Sequence, residues 1–305
     1  MLKNRILSTL RFFELQDWPL TLFELHRFLI VDIKTLRARV NTEYEIIGED
    51  TENESVDIAE VLNCLETECQ KEIENLHGFY CLKGKTELVK KRLENYSFGI
   101  KREKSIRKYA WITKFIPFVR GVALGGSQAM GRQAEGSDID LLIITDKDFL
   151  GLARSLITGF FQILGVRRHG EYVANRFCLN HYLVGPKVIT ELKNLYSAME
   201  YGRLRPLVYS ETVSAFQNNN AFWIKQCFPN WEPAHTLKTS QSRVQKVLEK
   251  IFTNRFGLAL EKFLKNWQVA RIKKEKFILV ENDELSFHPE SKQGPLLSAF
   301  FEHQS

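Results

Sequence analysis

The 305-residue sequence contains no apolar run that approaches the length of a membrane span, and it contains few cysteines. The five cysteines are odd in number and scattered, and none forms a C-x-x-C pair, which disfavours a zinc site or a disulfide framework. Reduced thiols in this pattern are typical of a cytoplasmic protein. The cysteines are Cys64, Cys69, Cys81, Cys178 and Cys227.

The first residues also lack the pattern of an export signal. Arg11, Glu14 and Asp17 interrupt the region where a signal peptide needs an unbroken apolar core. The formal net charge of +6 is mildly basic, which permits an anionic partner such as an NTP or RNA without requiring one. We therefore expect a cytoplasmic protein with no membrane partner.

Residues 121–145, GVALGGSQAMGRQAEGSDIDLLIIT, join two apolar runs through a glycine turn. The pattern predicts a strand that ends before Gly125, then a short helix or loop, then a second strand. Asp138 and Asp140 open the second strand. Because residues two apart on a strand face the same way, the two carboxylates should project together while Ile139 points into the core.

The residue types in this stretch indicate phosphate chemistry. Two neighbouring carboxylates repel each other unless a cation lies between them, and oxygen ligands suit Mg²⁺ or Mn²⁺. The N–H groups of Gly125 and Gly126 and the hydroxyl of Ser127 can hold a phosphate at a helix start. Together these features predict phosphoryl or nucleotidyl transfer. The alternative is a structural glycine turn with two solvated aspartates.

The motif resembles the signature of the DNA polymerase β-like nucleotidyltransferase superfamily, in which Gly-Gly-Ser precedes an Asp-x-Asp pair flanked by apolar residues. The loop between the two halves is similar to that of the minimal nucleotidyltransferases of bacteria. The resemblance implies that Asp138 and Asp140 are catalytic and bind Mg²⁺ or Mn²⁺. It also implies phosphate contacts from Gly125, Gly126, Ser127, Arg132 and Ser137.

One departure from that signature concerns a third carboxylate, which many superfamily members place on a later strand. The predicted strand RFCLNHYLV contains none, and the aligned position is Asn180. An amide oxygen can contact a metal, but it carries no charge and cannot act as a general base. Glu171 lies in a predicted turn, and His181 is interpreted as a structural residue. The sequence therefore allows either an active enzyme or a degenerate one that binds nucleotide and acts as a regulatory module.

The whole chain predicts an α+β protein in three segments. Residues 1–84 contain helical patterns, with an N-cap at Thr21, and then a hairpin that turns at His77-Gly78. This order predicts a winged helix-turn-helix-like domain. Residues 85–187 should form the nucleotidyltransferase core with its mixed sheet. Residues 188–305 should be mostly helical, with a break at Pro206 and a terminal hairpin that turns at Asn282-Asp283.

Charge argues against duplex DNA as the partner of the winged-helix-like domain. Its third helix carries Asp57, Glu60, Glu66 and Glu68, and phosphate repels such a face. Residues 83–120 are basic, with a helical pattern that allows a break at Phe98-Gly99. This basic face is interpreted as solvated; the alternatives are a strip that holds RNA or a triphosphate, and a salt-linked contact with the acidic loop 41–55.

We therefore expect metal-dependent transfer of a nucleoside monophosphate from an NTP to a hydroxyl of RNA, a protein or a small molecule. The sequence leaves this acceptor open. A DNA-binding regulator is the third hypothesis, and it is disfavoured by the acidic helix. Three aromatic residues that could stack on a base are instead interpreted as core: Tyr201, Tyr209 and Trp223.

Overall fold

The computed structural model describes most of the chain between residues 2 and 302. Every helix within the described ranges is too short or too polar to cross a bilayer. At residues 180, 269, 271–272, 278–281 and 284–287 only the backbone is described. The described ranges are 2–47, 54–129, 131, 136–189, 192–234, 239–272, 278–281, 284–287 and 293–302.

The described residues of the N-terminal segment form four helices, and three of them begin at a capping side chain. Thr21 and Glu24 form a capping box, which confirms the predicted N-cap at Thr21. Asp32 and Asp57 each accept a backbone N–H at the start of the next two helices. The helices are α1 (Leu2–Glu14), α2 (Leu22–Arg27), α3 (Ile33–Ala38) and α4 (Ile58–Thr67).

A small antiparallel sheet completes this segment. Its strands β1 (Leu20–Thr21), β2 (Ile73–Leu76) and β3 (Phe79–Leu82) lie in the order β1-β3-β2. The tight turn between β2 and β3 has positive φ at His77 (53°) and Gly78 (81°), so the predicted hairpin is confirmed.

The basic region forms one continuous helix, α5 (Glu87–Ile112). The break that the sequence allowed at Phe98-Gly99 does not occur, since Gly99 is buried inside the helix. A single glycine costs a helix only about 1 kcal/mol, and the burial of inward residues such as Ile106 and Ala110 outweighs that cost. A 3-10 turn over Thr113–Phe115 follows.

The centre of the fold is a six-stranded mixed sheet in the order β7-β4-β5-β6-β9-β8. Only the β5–β6 pair is parallel, and the other neighbours are antiparallel. The predicted α+β class with a mixed sheet is therefore confirmed. The strands are β4 (Val119–Leu124), β5 (Ile139–Thr145), β6 (Phe177–Val184), β7 (Arg205–Val208), β8 (Ile278–Glu281) and β9 (Glu284–Phe287).

Two parts of the C-terminal segment join this sheet. Pro206 separates two helices as expected, but it also lies inside β7, a strand that the sequence did not predict and that pairs with β4. β7 is an edge strand, so it pairs with a neighbour on one side only. An edge strand tolerates proline because the position without an N–H can face the unpaired side. The predicted terminal hairpin is present as β8 and β9, while its turn at Asn282-Asp283 lies outside the described residues.

Helices cover both faces of the sheet. On one face, α5 and α7 pack on β4, β5 and β6 in a core that includes Ile106, Ile143 and Phe161. The opposite face continues into a larger core formed by α8, α9, α10, α13 and the N-terminal helices. The remaining helices are α6 (Gly126–Ala129), α7 (Leu150–Ile163), α8 (Leu195–Gly202), α9 (Ser210–Asn219), α10 (Ala221–Cys227), α11 (Arg243–Phe252), α12 (Arg255–Ile272) and α13 (Gln293–Glu302).

Candidate active site

The turn between β4 and α6 brings backbone against a carboxylate of β5. The Gly125 N–H donates to the Asp140 carbonyl at 3.0 Å. Gly126 has φ +57°, a conformation that side chains other than glycine rarely adopt. A Cβ built on Gly126 would overlap the Asp140 carboxylate and lie 2.9 Å from its Cγ. Glycine therefore lets the turn and the carboxylate share this space.

Asp138, Asp140 and Cys178 bring three ligand atoms together. Asp138 directly precedes β5, Asp140 lies within it, and the parallel register places Asp140 opposite Cys178 of β6. One ligand atom from each residue lies within 4.8 Å of the other two. The carboxylates are partly buried and the thiol is buried, while Ile139 points into the core as the alternation predicts.

This donor set fits a divalent cation. Metal–oxygen and metal–sulfur bonds of about 2.1 and 2.3 Å allow two donors of one ion to stand about 4.4 Å apart. A separation of up to 4.8 Å therefore closes with small side-chain adjustments. Because glycine at position 126 has no Cβ, Asp140 has room to take part in such a site.

Arg168 supplies a positive charge to the same cluster. Its Nη1 lies 2.5 Å from Asp138 Oδ2 and 3.7 Å from Cys178 Sγ. Desolvation lowers the pKa of Arg168. The Asp138 carboxylate and Cys178 raise it by more than desolvation lowers it, so the pKa lies above its ordinary value. The guanidinium thus occupies one side of Asp138 and reduces the repulsion between the two aspartates.

The Cys178 thiol is buried next to the carboxylates of Asp138 and Asp140. Burial raises its pKa most, and the charges of Asp140 and Asp138 raise it further, against a smaller opposing effect from Arg168. In the absence of a cation the protonated thiol is therefore the stable form at neutral pH.

Helix α5 contacts Ser137, the residue that precedes Asp138. Arg102, only 8% exposed, donates from Nη1 to the Ser137 hydroxyl at 3.0 Å. Its neighbour Glu103 accepts from Arg205 of β7 at 2.5 Å. The first contact connects Ser137 to α5, and the second connects α5 to β7 at the edge of the sheet.

For two of the predicted site residues, the structure describes either nothing or only the backbone. Arg132 lies outside the described residues, and for Asn180 only the backbone, within β6, is described. Ser127 lies in the first turn of α6, beside Gly126. The roles assigned to Gly125, Gly126, Ser127, Arg132 and Ser137 remain predictions.

Two aromatic residues are structural, as interpreted from the sequence. The Tyr209 hydroxyl donates to Gln245 at 2.5 Å, and the Trp223 Nε1 donates to Asn220 at 2.9 Å; both rings are buried. Tyr201 contacts the rings of Phe216 and Trp223 and lies 6.0 Å from the ring of His181.

Sequence reasoning missed Cys178, Arg168 and Arg102. Cys178 lies two residues before Asn180 in the same strand, and as a thiol it does not match the carboxylate that the superfamily signature implies there. Arg168 precedes that strand in the Arg167-Arg168 pair. Arg102 is one of many basic residues in α5, so the sequence alone does not distinguish it from the others. Only the register of β5 against β6 and the inward face of α5 single them out.

Comparison with known proteins agrees with this geometry. No curated protein and no solved structure matches the chain. A family model described as a nucleotidyltransferase domain matches residues 106–181, which contain β4, α6, β5, Arg168 and Cys178. Families of this kind generally use divalent metals. The match covers about a quarter of the chain, is consistent with the DNA polymerase β-like nucleotidyltransferase superfamily, and confirms the resemblance seen in the sequence.

Proposed function

We propose that this protein transfers a nucleoside monophosphate from an NTP to a hydroxyl acceptor and releases pyrophosphate. The observation that carries the proposal is the pair Asp138 and Asp140, held against the Gly126 turn inside the matched nucleotidyltransferase segment. The acceptor oxygen attacks the α-phosphorus, the bond from that phosphorus to the bridging oxygen breaks, and pyrophosphate leaves with its electrons. The acceptor proton passes to solvent.

Asp138 and Asp140, with Cys178 beside them, are the groups that would hold one or two divalent ions, Mg²⁺ or Mn²⁺. A bound ion supplies Lewis-acid stabilisation of charge on the phosphates. The Gly125 N–H donates to the backbone carbonyl of Asp140. The groups proposed to bind the phosphates in this turn are therefore the N–H of Gly126 and the hydroxyl of Ser127.

Positive and polar groups around the loop support the triphosphate. Arg168 lies on Asp138 and can turn from that carboxylate towards phosphate oxygens once a cation neutralises the cluster. Ser137, oriented by Arg102, and Arg132 complete the proposed phosphate contacts. The acceptor is a hydroxyl of RNA, a protein or a small molecule.

The N-terminal segment is proposed to be a winged-helix unit that contacts a protein. Its helices are followed by the hairpin of β2 and β3, which β1 extends to a three-stranded sheet in the order β1-β3-β2, and this arrangement supports that assignment. The exposed side of α4 carries Glu60 and Glu66, and this charge disfavours duplex DNA.

A second candidate function is nucleotide binding without turnover. The ion pair between Arg168 and Asp138 and the thiol beside Asp140 favour it, because both differ from a cluster built of carboxylates alone. Such a protein would bind an NTP and regulate a partner through its N-terminal segment.

The test is incubation with each α-labelled NTP and a divalent ion, with total RNA and cell lysate as sources of acceptor. We expect label to enter RNA, a protein or a small molecule, and Asp138→Asn and Asp140→Asn to abolish this transfer and the release of pyrophosphate. Asp148→Asn, an exposed aspartate shortly after β5, is the matched control and should retain activity.

Unchanged pyrophosphate release in Asp138→Asn or Asp140→Asn would reject the proposed role of the pair. NTP binding without transfer to any acceptor would instead favour the regulatory candidate. Circular dichroism of each variant verifies that the fold is retained.

A further inference from the structure

The position next to Asp140 on the neighbouring strand is occupied by a thiol. Cys178 is paired with Asp140 in the parallel ladder, and it is only 3% exposed. Its ligand atom lies within 4.8 Å of an oxygen of each aspartate. A carboxylate placed here would complete an all-oxygen cluster, whereas this chain presents two oxygens and one sulfur.

Sulfur changes which cation the cluster favours. Mg²⁺ is a hard ion that binds oxygen in near-ideal octahedral geometry and releases its waters reluctantly. Thiolate is a soft ligand, and first-row transition ions accept it together with carboxylate. A site with two carboxylates and one thiolate therefore suits a borderline ion such as Co²⁺ or Zn²⁺, and it binds Mn²⁺ in preference to Mg²⁺.

The surroundings of Cys178 favour a functional ligand over a simple core thiol. Of the five cysteines, all buried, Cys178 alone belongs to a group of three ligating side chains among the described residues. The cluster already attracts one cation, since Arg168 lies 2.5 Å from Asp138 and 3.7 Å from the thiol. Gly126 has no Cβ, and a Cβ at this position would overlap the Asp140 carboxylate.

We propose that Cys178 is the third ligand of the metal site and that it makes the site prefer a borderline transition-metal dication over Mg²⁺. This inference rests on the proposed function for the location of the metal, and it adds which ion binds and why. Arg168 then leaves Asp138 when the ion binds, because both compete for the same carboxylate.

The test uses the full-length, metal-free protein with Co²⁺ alone as the probe. A thiolate bound to Co²⁺ produces a charge-transfer absorption band in the near ultraviolet that oxygen ligands do not produce. We expect the band in the wild type and in Cys81→Ser, whose buried thiol lies in β3 away from the aspartates. We expect no band in Cys178→Ser.

Competition titrations then measure the preference between ions. In the wild type, Mn²⁺ should displace Co²⁺ at lower concentration than Mg²⁺. Cys178→Asp, which restores an all-oxygen cluster, should shift the Mn²⁺ to Mg²⁺ affinity ratio towards Mg²⁺ by about tenfold or more, the scale of ligand-environment effects on metal affinity.

A wild-type protein that binds Co²⁺ without the band overturns the inference, as does a band that persists in Cys178→Ser. If Cys178→Ser does not fold, the spectrum of Cys178→Asp supplies the same comparison. Pyrophosphate release measured on the same preparations separates the two proposals. Release without the band rejects only the thiolate ligand, and the band without release rejects only the transferase activity.

Discussion

A backbone turn and a carboxylate occupy adjoining space at Gly126. The positive φ of this residue and the overlap that any Cβ would make with Asp140 are two separate constraints at one position. The first is a local property of the turn. The second exists only because β5 lies beside the turn, so it links this glycine to the candidate metal site.

We expect Gly126→Ala to abolish pyrophosphate release and to lower the free energy of unfolding by more than Gly78→Ala does. Both alanines bear the left-handed backbone cost of about 1–2 kcal/mol. A Cβ at Gly78 meets nothing within 4 Å, whereas a Cβ at Gly126 must displace Asp140. Urea unfolding and the release assay measure both effects. Equal losses in the two variants would show that the contact with Asp140 is unimportant.

Arg168 and Asp138 illustrate a second effect at the scale of single residues. Two carboxylates that share a site repel each other, and a guanidinium on one of them relieves the repulsion when no metal is bound. Arg168 thereby stabilises the metal-free cluster and must be displaced for Asp138 to bind an ion.

At the scale of elements, the cap of α2 also connects that helix to α5. Glu24 closes the capping box with Thr21 and accepts two hydrogen bonds from Arg92, each 2.8 Å long. Arg92 in turn stacks over the ring of Trp18, 3.9 Å from its centroid. The basic helix is therefore paired in part with acids of the N-terminal helices. The acidic loop considered from the sequence lies in part outside the described residues.

We expect Glu24→Gln to destabilise the protein at neutral pH by about 1.5–3 kcal/mol, the contribution of hydrogen bonds to charged groups. Desolvation raises the pKa of Glu24, but the hydrogen bonds and charge of Arg92 and the charge of Arg203 outweigh it and lower the pKa below its ordinary value. A carboxyl with a lowered folded pKa contributes stability above its unfolded pKa, about 4.3, and loses it as pH falls through the folded pKa.

The deficit of Glu24→Gln should therefore shrink as pH falls below about 4.3. Urea unfolding of wild type and variant at several pH values measures this. Glu66→Gln, at an exposed position of α4, is the control and should change stability little at any pH. A deficit for Glu24→Gln that does not depend on pH would contradict the prediction.

At the scale of the whole molecule, the N-terminal and C-terminal segments share one apolar core. Phe28 of the N-terminal segment contacts Phe228, with ring centroids 5.4 Å apart. Arg203, at the end of α8, lies over the rings of Phe13 and Phe28, and burial lowers its pKa to about 10. The predicted domain boundaries remain a prediction, but this core ties the first segment to the third.

We expect Phe28→Ala to lower the free energy of unfolding by about 3–5 kcal/mol. Phe28 is 3% exposed in the shared core, so its loss should lower the melting temperature of both segments together, in one calorimetric transition. Phe23→Ala removes the same side chain from a position 76% exposed in α2, and it should have little effect. Two separate transitions in the wild type would contradict a shared core.

Local sequence signals predicted the elements that depend on near neighbours. The cap at Thr21, the hairpin at His77-Gly78 and the two strands around the Gly-Gly-Ser turn were all predictable, because caps, turns and alternation act over a few residues. The resemblance to nucleotidyltransferases rested on the same short stretch, and the family match confirms it.

The features that the sequence did not predict arose where distant parts of the chain compete with local preference. Gly99 remains helical because α5 is packed along its length, and Pro206 belongs to a strand because β4 offers an edge to pair with. Neither residue carries a local signal of those partners.

The sequence by itself determined that Asp138 and Asp140 face the same way beside a glycine turn, since their spacing and the strand period require it. Only the tertiary structure decided that Cys178 and Arg168 join them, because that depends on the register of β5 against β6. Register is set by pairing between strands more than thirty residues apart, which no local pattern records. The chemistry of the candidate metal site therefore follows from the fold as much as from the motif.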